Sequence, residues 1–119
     1  MMERKNEVLD LSFDFALNLI KYCELLEEQK RYVIARQLLR AGTSIGANIN
    51  EAQNAESKSD FIHKLKIASK EARESLYWLQ LCRKSAGYPD PENLPDQFES
   101  IIKLLNTIIA TMKRKTNPQ

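Results

Sequence analysis

The stretch "RAGTSIGANINEA", residues Arg40 to Ala52, decides how this chain folds. Around it, Ile34, Leu38, Ala41, Ile45, Ile49 and Ala52 recur at three- and four-residue spacing, the signature of one helix face. Gly42, Thr43, Ser44 and Gly46 are nevertheless poor helix formers, and each interior glycine costs roughly 1 kcal/mol relative to alanine. Either the helix breaks, the glycines cradle a ligand, or a neighbour packs so close that a side chain would collide. The phosphate-cradle reading lacks its parts: no strand precedes, no lysine follows a glycine, and no GxGxxG is present. Thr43 and Ser44 can return their hydroxyls to carbonyls one turn back and need no ligand. Gly42 and Gly46 lie one turn apart with Ala41 and Ala47 near them, so the expectation is an unbroken helix with close packing at both glycines.

Working outward, helical periodicity covers residues of about 7–28, 31–54, 58–86 and 93–114. The first segment carries two apolar rows, Leu9, Phe13, Ala16, Ile20 and Cys23 beside Val8, Phe15, Leu19, Tyr22 and Leu26. On the third segment Phe61, Leu65, Ala68, Ala72, Leu79 and Cys82 share a face, and Ser57 with Asp60 has the spacing of a capping box. "GYPDPENLP" then excludes helix until proline can sit in a first turn. Phe98, Ile101, Leu105, Ile108 and Met112 line the last segment, with Ile102 and Ile109 alongside, and Lys113, Arg114 and Lys115 suit its carboxyl end. Long helices with short links predict an all-α, up-down-up-down antiparallel four-helix bundle, a single domain in 119 residues.

The first and last helices are apolar over more than the one stripe a monomer needs. On the third, Ile67, Trp78 and Leu81 fall roughly 120° from the core row at about 100° per residue, with Glu71 and Glu74 among them. This surplus points to a homo-oligomer whose interface includes Ile67, Glu71, Glu74, Trp78, Leu81 and the outer rows of the terminal helices.

Eighteen basic residues against 16 acidic ones leave a net charge of +2, too little to argue for nucleic acid without considering placement. Cys23 and Cys82 sit at apolar helical positions with no CxxC spacing, as buried free thiols of a reducing compartment would. "MMERKNEVLD" lacks a leader's apolar region and no apolar run spans a membrane, so the expectation is a cytoplasmic chain without a membrane partner. Catalysis is not expected. One histidine, His63, cannot supply the two Glu-x-x-His pairs of a di-iron bundle, nor does it sit on the core face for a triad. No metal and no cofactor are expected. Glu71 and Glu74 read as carboxylates bonded to a neighbouring helix or subunit.

Charge placement says more. His63, Lys66, Lys70, Arg73, Tyr77 and Lys84 form a stripe opposite the core of the third helix, and Arg36 and Arg40 lie one turn apart on the second. Such a stripe is either an ordinary solvated face or a track for a phosphate backbone.

The run from Arg31 to Leu81, "RYVIARQLLRAGTSIGANINEAQNAESKSDFIHKLKIASKEARESLYWLQL", resembles the family of proteins encoded in intervening sequences of bacterial 23S rRNA genes. The likeness rests on Gln37-Leu38, Arg40-Ala41, Thr43-Ser44-Ile45, Ala47-Asn48-Ile49, Glu51-Ala52, Phe61, Glu71-Ala72-Arg73-Glu74 and Trp78-Leu79. It implies a four-helix bundle assembling into a ring, in known cases a pentamer. It also implies kinship with the accessory variability determinant of diversity-generating retroelements, a basic pentameric barrel that binds nucleic acid and associates with a reverse transcriptase. This chain's modest net charge departs from that accessory protein. Two functions follow as expectations: a non-catalytic oligomer binding structured RNA or DNA through its basic stripes, or a ring scaffold whose partner is another protein.

Overall fold

The structure, a computed structural model, describes residues 2–116, with side chains described for residues 7–115. Four helices make up the described chain, with no strand among the described residues: α1 Met2–Glu28, α2 Tyr32–Ala52, α3 Lys58–Lys84 and α4 Leu94–Thr116. Each packs on its sequence neighbours, and α4 closes against α1, giving a four-cornered bundle 54 Å long and about 22 Å across.

Local chemistry sets the ends. α1 stops in a Schellman turn: the Arg31 N–H bonds the Leu26 carbonyl and the Lys30 N–H bonds that of Glu27. Lys30 takes the left-handed position usually given to glycine, at φ 63°. α3 starts at Ser57, whose hydroxyl accepts from the Asp60 N–H at 3.0 Å. The Asp60 carboxylate in turn accepts from the Glu56 N–H at 3.3 Å, one residue further back than a standard capping box. The proline-rich link is tied down by Tyr22, whose hydroxyl donates to the Pro89 carbonyl at 2.6 Å.

α2 runs unbroken through the glycines. Thr43 and Ser44 donate to the Leu39 and Arg40 carbonyls at 2.8 and 2.7 Å. Gly42 is buried where three helices converge. A Cβ there would lie 1.9 Å from Leu19 Cδ2 of α1 and 3.8 Å from Ser75 Oγ of α3. Leu19 and Ser75 are themselves fully buried, so neither can swing into solvent. Gly46 differs. Its added Cβ would meet only Ser12, at 3.4 and 3.8 Å, because Gly46 lines an open groove between α1 and α2. The close approach therefore belongs to Gly42, and the expectation of equal crowding at Gly46 is corrected.

The two apolar rows of α1 also differ: one is buried throughout, and in the other only Cys23 is. Val8, Phe15, Leu19, Tyr22 and Leu26 enter the core, while Phe13 and Ile20 stay 66% and 38% exposed and Leu17 between them 46%. On α4 both rows are used, since Ile102 and Ile109 are buried against the other helices along with Phe98, Ile101, Leu105 and Ile108. The surplus apolar surface expected on α4 is therefore internal, whereas that of α1 is real. No helix of the described residues is long and apolar enough to cross a membrane.

Gly42→Ala should lower stability by about 1–3 kcal/mol, because overpacking outweighs a propensity gain of about 1 kcal/mol. Gly46→Ala should leave it unchanged or raise it by up to about 1 kcal/mol. Urea unfolding midpoints of the two variants check this; a higher midpoint for Gly42→Ala contradicts the packing account.

Candidate nucleic-acid interface

The basic residues divide between two seams. At the α2–α3 seam Arg40 reaches across to both carboxylates expected to share a flank with Trp78: Nη1 lies 3.5 Å from Glu71 Oε1 and Nη2 2.5 Å from Glu74 Oε2. Trp78 Nε1–H donates to the same Glu74 oxygen at 3.1 Å. The carboxylates are only 15% and 31% exposed, so Arg40 neutralises charge that would otherwise sit half-buried without a partner. Arg40 is thus paired within the subunit, with half of its side chain still exposed. The same contacts involve the residues expected at an oligomer surface. Ile67, Glu71, Glu74 and Trp78 are half-covered by their own bundle, and of that set Leu81 alone is exposed.

The α3–α4 seam is different. Lys66, Lys70 and Arg73 from α3 and Lys113 from α4 line one shallow cleft, together with Ser69, Asn106 and Ile109. The Ser69 hydroxyl donates to Asn106 Oδ1 at 3.2 Å and joins the two helices beneath the cations. Among the described residues no carboxylate pairs with any of the four cations; the ion pairs present are those of Arg40 and of Lys64 with Glu51. Lys113 lies beside Lys66, where a hydrogen bond between the two amines requires one of them to lose a proton, and their like charges repel. Both effects hold Lys66 below the ordinary lysine range. An anion between them would relieve both. His63, Tyr77 and Lys84 continue the exposed face of α3, and Arg36 is exposed on α2. Lys113 was not part of the sequence-level stripe. Only the α3–α4 packing brings it beside Lys66.

Acid–base and nucleophilic chemistry find little here. Among the described residues no cluster of three or more His, Cys, Asp or Glu could hold a metal ion. Both cysteines are buried free thiols. Burial, then the charges of Glu27 and Cys82, pushes Cys23 up to about 12, and burial raises Cys82 as well. Reactive cysteines shift the other way. Tyr22, buried beside them, is also raised, chiefly by burial.

The family model of the 23S rRNA-intervening sequence protein matches residues 4–113. The chain belongs to this family. A crystal structure from Bacteroides thetaiotaomicron VPI-5482, described as a protein of unknown function from the S23 ribosomal protein family, is 44% identical. The match covers 90% of this chain and 98% of that one, with a TM-score of 0.83. No curated protein matches. Family and neighbour agree with the bundle and with the resemblance to the intervening-sequence family.

The thiols give a pH prediction. In the unfolded chain they ionise near pH 9, whereas the folded chain keeps Cys23 protonated to about 12. Above about pH 9 the unfolded state holds fewer protons than the native one, so stability falls as pH rises, by at most about 1.4 kcal/mol per unit for each thiol. Urea midpoints should be flat from about pH 6 to 8 and decline from about pH 9 upward, less steeply in Cys23→Ala when compared with its own neutral value. An equal decline in that variant contradicts the assignment.

Proposed function

We propose that this family member is a non-catalytic, self-associating protein that binds structured RNA or duplex DNA by laying the phosphate backbone along the α3–α4 face. The supporting observation is the carboxylate-free cleft of Lys66, Lys70, Arg73 and Lys113. A net charge of +2 does not preclude it, because Arg40 and Lys64 are spent on internal pairs while these four cations are not. Contacts of this kind read phosphate and not base identity, so binding is sequence-tolerant and steeply salt-dependent. Each phosphate neutralised changes the logarithmic salt slope by about one unit.

Self-association multiplies these few contacts into avidity. Its support is the exposed row Phe13, Leu17 and Ile20 on α1, a face apart from the basic cleft. A ring of five copies, as the family resemblance implies, repeats the cleft around its surface.

Lys66→Glu combined with Lys70→Glu should abolish retention on duplex RNA at about 50 mM salt without changing the molar mass measured by light scattering, because both side chains are exposed. Native protein that is not retained on RNA or duplex DNA at that salt, or that scatters as a monomer at micromolar concentration, overturns the corresponding half of the proposal. Loss of retention with the mass intact at an oligomeric value leaves a protein-binding scaffold as the function.

A further inference from the structure

A second concave surface lies where the α1–α2 turn meets the end of α3. Its walls are Tyr32 and Val33 at the start of α2, Trp78 of α3 and Tyr88 of the following link. Tyr32 and Val33 are 52% and 72% exposed, an unusual outlay of apolar surface at a helix start. Lys30 and Arg31 form the lip. The Schellman turn fixes both there, and the Arg31 guanidinium lies 4.0 Å from the centre of the Tyr88 ring. Its Nε is buried without an acceptor.

Trp78 is held for contact. Its indole N–H is pinned to Glu74, which Arg40 fixes from the other side. Tyr77 meets it edge-on with ring centres 5.6 Å apart. An indole anchored by its polar edge and braced by a neighbouring ring loses little freedom on stacking. The charge around it selects the ligand. Lys30 and Arg31 oppose a cationic guest such as a quaternary ammonium, and a purely apolar side chain would leave Lys30 and the buried Arg31 Nε without an acceptor, although the Arg31 guanidinium already meets Tyr88 and the Gly87 carbonyl. A flat ring carrying an attached anion uses every element of the groove.

We propose that this groove takes one unpaired nucleobase, stacked on Trp78 and Tyr32, with its phosphate at Lys30 and Arg31. The inference rests on the phosphate-track reading above. Along the axis of α3 Trp78 lies about 12 Å beyond Lys70 at 1.5 Å per residue, on the flank turned toward α2, so a strand leaving the basic cleft crosses the outer face of α3 at Tyr77 to reach it. Exposed Tyr77 and Lys84 lie on the same outer face of α3 as the cleft cations. The ligand class is therefore nucleic acid with a single-stranded segment or loop next to its duplex part, a form that RNA offers more readily than DNA.

Trp78 is the chain's one tryptophan, so its fluorescence reports the groove directly. The full-length protein is titrated at low salt with single-stranded oligoadenylate, with an abasic oligonucleotide of the same length and with inorganic polyphosphate, binding being followed separately by anisotropy of labelled ligands. Oligoadenylate should quench Trp78 saturably, while the two base-free polyanions bind without quenching it. Tyr32→Ala, a change at an exposed position, should weaken oligoadenylate about five-fold or more, in line with the loss of a stacking partner, and leave polyphosphate binding unchanged. Oligoadenylate that binds without quenching, or equal quenching by the base-free ligands, overturns the groove assignment and leaves the phosphate track standing. Absence of binding by all three polyanions overturns both.

Discussion

The contact between Gly42 of α2 and Leu19 of α1 is the constraint from which the rest of the bundle follows. With no Cβ at Gly42, α1 comes close enough for a fully buried leucine to fill the space a side chain would need. The same residue faces Ser75 of α3, whose hydroxyl is satisfied by the Glu71 carbonyl of its own helix and asks nothing of its neighbours. Three helices are thereby registered at one point. From that point outward, α2 and α3 are near enough for Arg40 to span Glu71 and Glu74 together. The helix propensity lost at the glycine is recovered in packing.

That registration sorts the charges. Carboxylates and arginine meet along α2–α3, and lysines with Arg73 are left along α3–α4. A nearly neutral composition conceals this polarity, because none of the 16 acidic residues lines the α3–α4 cleft. The same sorting gives α3 two distinct working faces, a cleft suited to phosphates and an aromatic groove near its carboxyl end. The exposed apolar row of α1 is left for self-association.

Periodicity and breakers made the four helices legible in the sequence, and the Ser57 cap was readable from its spacing with Asp60. Which of two adjacent apolar rows faces the core was not legible. On α1 one row is buried and the other divides, with Cys23 in the core, Leu9 and Ala16 half-covered and Phe13 and Ile20 exposed, whereas on α4 both rows enter the core, although the sequences look alike. The difference depends on where neighbouring helices sit, which no single segment encodes. For the same reason Gly42 and Gly46 looked equivalent, though one meets a leucine and the other a groove. Arg40 read as an outward cation because its partners lie about thirty residues away on another helix; equally, Lys113 joins Lys66 only through packing of α4 on α3. Lys30 in a glycine-type helix cap gave no sequence signal, yet it shapes the lip of the aromatic groove.

The central claim is that ligand meets the α3–α4 face and not the apolar face of α1. Backbone amide shifts of isotope-labelled protein, followed by NMR during titration with short duplex RNA, test it residue by residue. The account predicts changes concentrated at Lys66, Lys70, Arg73, Asn106 and Lys113, with the amides of Phe13, Leu17 and Ile20 unmoved. Changes centred on α1 with the α3–α4 amides unmoved would contradict it.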